Sequence, residues 1–393
     1  PQRQWALFAP ALTARPTWND VERTSFHDST KDVLTHQVAP IYRVYRDFLH
    51  DELLPVARPP ERAGIGHLNN GAACYAASIR EETTLNLTAE EIHQIGLQEL
   101  GKIHAEFSAL GHQLWAERDL QTIFARLRTD PALYFDSSDA VQHKAEEALA
   151  RARAALPGWF GLIPQTPCIV VPIPDYQAKY STIAYYRPPT PGGGKPGEYY
   201  INKSEPSTRP RHEAEVLAFH ESIPGHHLQI AIAQEQGDLP NLRRHFRATA
   251  YVEGWGLYIE RLADEMNLYS SDLDRLGMLS FDAWRASRLV VDTGIHDKGW
   301  TRQQAQDFLR QNTPLADNNI NVEVDRYISW PGQALAYKIG QREIRALRAE
   351  AEEKMGSAFQ LSDFHDQVLS VGAIPLPALR EHIHRWISQS TTP

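Results

Sequence analysis

The sequence predicts a mainly α-helical fold carrying one small antiparallel β-sheet. Two observations predict it. Apolar residues recur at three- and four-residue spacing over most of the chain, and the short β-branched or aromatic runs all fall between positions 168 and 202. Residues 18–56 place Val33, Val38, Ile41, Val44, Tyr45 and Phe48 at helical spacing, and Arg58-Pro59-Pro60 stops that stretch. The Gly/Asn-rich segment 64–71 reads as a loop. Thr88 with Glu91 three residues on has the form of a capping box, so a helix is expected to start there, with helical pattern to about Leu156. Three short strands follow at 168–171, 181–186 and 198–202, the last two joined by the flexible run 188–194. Helical pattern resumes at about His212 and continues to about Ser388, with loops near 237–241, 268–272 and 312–320. No internal repeat is present, and residues 1–393 are expected to form one helical unit.

Composition removes several function classes. With 40 Lys and Arg against 49 Asp and Glu, the formal charge is −9 and there is no basic block, so no nucleic-acid partner is expected. No apolar run reaches the ~18 residues that suggest a membrane span. Two cysteines, Cys74 and Cys168, exclude a disulfide framework and leave room for one bridge. The start, Pro1-Gln2-Arg3-Gln4-Trp5, reads neither as a signal peptide nor as an initiator, so no targeting segment is visible and the compartment, periplasmic or cytoplasmic, stays open.

The chemistry concentrates in His220-Glu221-Ser222-Ile223-Pro224-Gly225-His226-His227. A catalytic zinc ion takes three protein ligands and keeps one position open, with a carboxylate nearby to move the proton of the attacking water. Two helical histidines usually meet that need four residues apart. Here the spacing is six, which in a regular helix advances ~9 Å and turns ~600°, so the two rings would point apart. Pro224-Gly225 is expected to bulge the helix and return His226 to the ligand position. His227, ~10.5 Å along the axis from His220, is the competing choice. Glu253 offers the third ligand, because it stands in the otherwise apolar run Tyr251 to Tyr258, where an unpaired carboxylate is costly to bury. Seventeen histidines cluster somewhere by chance. The His-Glu pair, the helix-distorting Pro-Gly, the second His and the later Glu together set this cluster apart. The strand 198–202 is the expected free edge on which an extended peptide would lie.

These residues resemble the bacterial family catalogued as domain of unknown function 885. Its hallmark His-Glu-x-x-Pro-Gly-His-His matches 220–227, and further matches are Tyr251 to Trp255, Val291 to His296 and Trp330 to Lys338. The resemblance runs from about 66 to 338. It implies a helical zincin-like metallopeptidase fold of the glutamate type, with Zn held by His220, His226 and Glu253. Family members run longer at the N terminus, so an opening helical segment is expected to be missing. Cys74 stands where a second aromatic is expected.

The expected function is a zinc-dependent hydrolase that cleaves a peptide or small amide with metal-activated water and Glu221 as general base. His296 and Tyr327 are candidate catalytic groups for the developing oxyanion, by analogy with related helical peptidases. Tyr337 is a further candidate, and Arg326 and Lys338 are candidates for a substrate carboxylate. Asp292 is a candidate partner for a ligand histidine. Two rivals stand beside this reading: a binding protein of the same fold without turnover, and a zinc hydrolase of a small non-peptide amide or ester.

Overall fold

A computed structural model of the chain describes residues 5–13, 15–178, 181, 183–190 and 194–391. Thr182 of the expected second strand, and 191–193 of the connection after it, lie outside the described residues. The chain forms two compact units, Pro1–Pro59 with Ile173–Ser181, and Pro60–Pro172 with Thr182–Pro393. The single unit expected from the sequence is thus divided, because periodicity marks which face of a helix is apolar but not which helices share a core.

In the first unit, α1 (Asp20–Val33) and α2 (Ala39–Asp47) belong to one helical stretch that runs to Val56. Asn19 caps its start in a reciprocal box with Glu22.

The second unit holds α3 (Gly71–Thr83), α4 (Ala89–Trp115), α5 (Leu120–Thr129) and α6 (Ser138–Ala155), then β1 (Cys168–Pro172), β2 (Ala184–Arg187) and β3 (Gly197–Ile201). Helices α7 (Ala214–Glu221), α8 (His226–Glu235), α9 (Thr249–Glu265), α10 (Asp272–His296), α11 (Arg302–Asn312), α12 (Asp317–Ser329), α13 (Ala336–Met355), α14 (Leu361–Leu369) and α15 (Leu376–Thr391) follow, with one further short helix at Asn241–His245. The Thr88–Glu91 capping box is formed as expected. The most extensive helix pairings are α9 with α13 and α10 with α4. Trp255, Tyr251, Phe107 and Phe281 are buried in this core.

The sheet differs from expectation in two ways. Its order is β1-β3-β2, with β1 parallel and β2 antiparallel to β3, so it is mixed rather than antiparallel. The strand expected to offer a free edge is therefore the central one, and β3 is nearly buried along its length. Alternation within a strand reports its faces, not its neighbours. The edge that packs beside α7 belongs to β2. Asn202 N–H donates to Ile183 C=O at 2.9 Å, which makes 183/202 a hydrogen-bonded pair. By alternation Tyr186, opposite Tyr199, turns its main-chain N–H and C=O away from β3. Both cysteines are free, and burial pushes the Cys168 thiol up to about 12. No helix among the described residues is long and apolar enough to cross a membrane.

Glu213 ends the short turn Arg211–Glu213 that leads into α7 and lines a small pocket with Phe135, Tyr199 and Leu217. Burial pushes its carboxyl up to about 7 against the charge of Arg285. At this one group the folded state therefore holds more protons than the unfolded state between pH 4.5 and about 7. Glu213 contributes stability in full below pH 4.5 that is lost as pH rises through about 7. Glu213→Gln is expected to remove that loss, gaining roughly 3 kcal/mol on wild type between pH 4.5 and 7.5. Urea midpoints of both proteins across this range check it. Burial pushes His212, His227 and His365 down to about 4, but these titrate alike in both proteins and cancel in the difference. A difference that stays constant with pH would refute the assignment.

Candidate metal centre

His220 and Glu221 leave from the last turn of α7, and His226 opens α8. The single bulged helix expected here is two helices, joined by residues 222–225 with a cis Ile223-Pro224 peptide. Glycine is required at 225, since a Cβ there would lie 1.9 Å from the His220 carbonyl oxygen. Glu253 comes from α9, one turn before Gly256, where a Cβ would lie 2.6 Å from the His220 ring. The missing side chain at 256 is what lets that ring lie against α9.

His220, His226 and Glu253 converge, each offering one ligand atom, with all three atoms within 4.8 Å of one another. Glu253 Oε2 stands 3.6 Å from His220 Nε2 and 3.5 Å from His226 Nε2. Both separations exceed the ~2.7–3.2 Å of a hydrogen bond. They match the ~3.3–3.4 Å between donors that share a tetrahedral cation at ~2.0–2.1 Å. The two imidazoles meet edge to face at 84° with centroids 4.6 Å apart. Two imidazoles and one carboxylate are a donor set that fits zinc.

Electrostatics favour positive charge at this point. Burial opposes protonation of His220, but Glu253, Glu260 and Glu221 outweigh it and push the imidazole up to about 9. Burial likewise raises Glu253, but His226 and His220 outweigh it and hold the carboxyl well below the usual range. The partner of the ligand histidine is Glu260, not Asp292. His220 Nδ1–H donates to Glu260 Oε1 at 2.8 Å, which leaves Nε2 turned to Glu253. Asp292 instead accepts from the Tyr75 hydroxyl at 2.6 Å and from Gly332 N–H. The sequence reading missed Glu260. Its signal was there: seven residues, two helical turns, separate it from Glu253 on one face of an apolar helix. His226 Nδ1 is buried and has no protein partner among the described residues.

His227 is committed elsewhere. Its Nε2–H donates to Thr166 C=O and its Nδ1 accepts from the Tyr186 hydroxyl, both at 2.9 Å, so it ties α8 to β2. Glu221 is half-buried, and its carboxylate has no hydrogen bond or ion pair among the described residues. Its charge is felt by His220 and Tyr199.

The remaining candidates separate clearly. Tyr337 adjoins the cluster, its ring 6.4 Å from the His220 ring and nearly parallel to it. The Arg288 guanidinium carbon lies over both neighbouring rings, 4.4 Å from the Tyr337 ring centroid and 4.3 Å from that of Trp284. Arg288 and Arg326 share the carboxylate of Glu323, at 3.1 and 3.0 Å. Arg326 also donates to Gln333 at 2.5 Å and remains 28% exposed. His296 has no free ring nitrogen, since Nδ1 accepts from Ile65 N–H at 3.1 Å and Nε2–H donates to Tyr327 C=O at 3.0 Å. The Tyr327 hydroxyl is buried and accepts from Trp284 Nε1–H and Arg288 Nε–H. Lys338 is 1% exposed and bound to Asp282 at 2.6 Å and Gln341 at 2.8 Å. These three are corrected to packing and positioning groups: a side chain with every polar atom engaged in the core cannot also meet a substrate.

The model of the family described as "Bacterial protein of unknown function (DUF885)" matches residues 2–383. The chain belongs to this family. No curated protein matches it. Two solved structures, each described as a "putative lipoprotein", are similar. The one from Colwellia psychrerythraea is 32% identical with a TM-score of 0.91, over 97% of this chain and 66% of that one. The one from Shewanella oneidensis, described as of unknown function, is 20% identical with a TM-score of 0.69, over 95% of this chain and 69% of that one, and speaks for the fold alone. The DUF885 chain therefore spans about two thirds of the length of these proteins.

Proposed function

We propose that this DUF885 protein is a zinc-dependent hydrolase of peptide or amide bonds. The observation that carries the reading is the convergence of His220, His226 and Glu253 with an unpaired Glu221 next in sequence to the first of them. Zinc held by these three residues supplies a Lewis acid that polarises a carbonyl and lowers the pKa of water to ~7. Glu221 takes a proton from the attacking water on its carboxylate and passes it to the leaving nitrogen. Glu260 holds the His220 ring with Nε2 turned inward. Tyr337, whose ring lies beside that of His220, is the candidate to donate to the oxygen on which negative charge develops, a role the sequence had divided among His296, Tyr327 and Tyr337. Arg326 faces outward beside it as a candidate for a substrate carboxylate. The outward main chain of Tyr186 on β2 supports the placing of an extended substrate.

Elemental analysis tests the reading directly. Protein supplied with zinc and dialysed is expected to hold about one zinc per chain, and His220→Ala is expected to hold none. Wild-type protein that takes up no metal would end the proposal, and equal zinc in both proteins would move the site elsewhere.

A further inference from the structure

An open cleft has Pro188, Gln229, Arg243, Arg244, Arg247 and Val252 in its wall, and two of its helices also carry residues of the candidate centre. Two of its walls continue helices of the centre. Gln229 is one turn past His226 on α8, Val252 precedes Glu253 on α9, and Pro188 follows the last residue of β2.

Its charge runs against the rest of the chain. Acidic residues outnumber basic ones by 49 to 40 overall, yet no Asp or Glu lines this cleft, and every titratable group in its wall is Arg or His. Among the described residues no carboxylate pairs with Arg243, Arg244 or Arg247. Arg244 donates from Nε to Leu239 C=O at 2.9 Å, whereas the exposed guanidinium groups of Arg243 and Arg247 have no protein acceptor among the described residues. The main chain that carries them is held. Ala248 N–H donates to Ala373 C=O at 3.4 Å, and the Arg243 carbonyl oxygen lies 2.7 Å from where a Cβ of Gly372 would stand.

A second, independent feature belongs to the same wall. Gln229 is 2% exposed and its buried Oε1 has no hydrogen-bond partner. An unpaired buried amide oxygen is costly unless something donates to it. A ligand that complements this wall carries an anion for the arginines and an N–H for Gln229. A peptide residue with a carboxylate has both.

We propose that this cleft is a carboxylate-binding subsite: it receives an acidic side chain, or the free C-terminal carboxylate, of a peptide lying across the candidate centre. The inference rests on the hydrolase reading for the kind of ligand, and goes beyond it in naming what the ligand must carry.

The test uses full-length Glu221→Gln protein supplied with zinc and fluorescein-labelled octapeptides of alanine and glycine. One set scans a single Glu or Gln through the peptide, and each member is made with a free or an amidated C terminus. Fluorescence anisotropy is expected to show at least tenfold tighter binding of a carboxylate-bearing peptide than of its neutral counterpart, about the size of one charge-assisted hydrogen bond. The preference is expected to fall with added salt, and to shrink below twofold when Arg243→Gln and Arg247→Gln are added. The Glu/Gln arm and the free/amidated arm separate the two sources of the carboxylate. Equal binding of all peptides, binding of none, or a preference that survives loss of both arginines would overturn the proposal. Preference for a carboxylate without hydrolysis by wild-type protein would leave the subsite standing and remove the hydrolase reading; hydrolysis without the preference would do the reverse.

Discussion

Glu221→Gln is expected to lower kcat for peptide or amide hydrolysis by about 10³-fold, within the 10²–10⁴ span of positioned acid–base groups. The substitution keeps the shape of the side chain and removes only its ability to take a proton. No hydrogen bond or ion pair of the Glu221 carboxylate exists among the described residues, so the change disturbs no fold contact. The proposed zinc ligands are untouched, and zinc content is expected to stay at one per chain. KM should change little, because the lost interaction belongs to the transition state. Turnover and metal content are read from one preparation with a peptide that wild-type protein cleaves. A zinc-loaded variant with undiminished turnover would show that another group moves the proton.

Glu260→Ala is expected to have the largest combined effect on metal binding and stability. Glu260 is fully buried, accepts from His220 Nδ1 at 2.8 Å and faces Arg285 Nη2 at 3.4 Å. Truncation frees the ring that aims Nε2 at the centre, and loss of such a partner costs about 10–100-fold in metal affinity. It also strands the Arg285 guanidinium, which is 4% exposed and packed over Phe281 and Trp284. Removing one member of a buried ion pair costs about 3–5 kcal/mol. Glu260→Gln separates the two effects, since its amide oxygen still accepts from Nδ1–H while its charge is gone. Chelator competition for zinc and urea unfolding measure them in parallel. Were both variants to bind zinc as wild type does, Glu260 would be a packing residue only.

Legibility from sequence followed the range of each interaction. The capping box at Thr88, the helix 18–56 and the presence of three short strands depend on neighbours a few residues apart, and all are found. The strand order was not legible, because the β1–β3 pairing joins residues about thirty positions apart and alternation carries no record of it. His220, His226 and Glu253 were legible as a set because each is out of place where it stands, a polar group in an apolar helix. His296, Tyr327 and Lys338 were polar groups in the same situation, yet each is satisfied within the core.

That contrast marks the division. By itself the sequence determined the helical class, the family and the motif, since these rest on local periodicity and on residue types at short spacing. Only the tertiary structure shows that His226 and not His227 converges with His220 and Glu253, because Thr166 and Tyr186, which occupy the second ring, lie 61 and 41 positions away. The same holds for Glu260 in place of Asp292, and for β2 in place of β3 as the free edge. A buried polar group is recognisable from its neighbours in the chain, but what satisfies it comes from wherever the fold brings a partner.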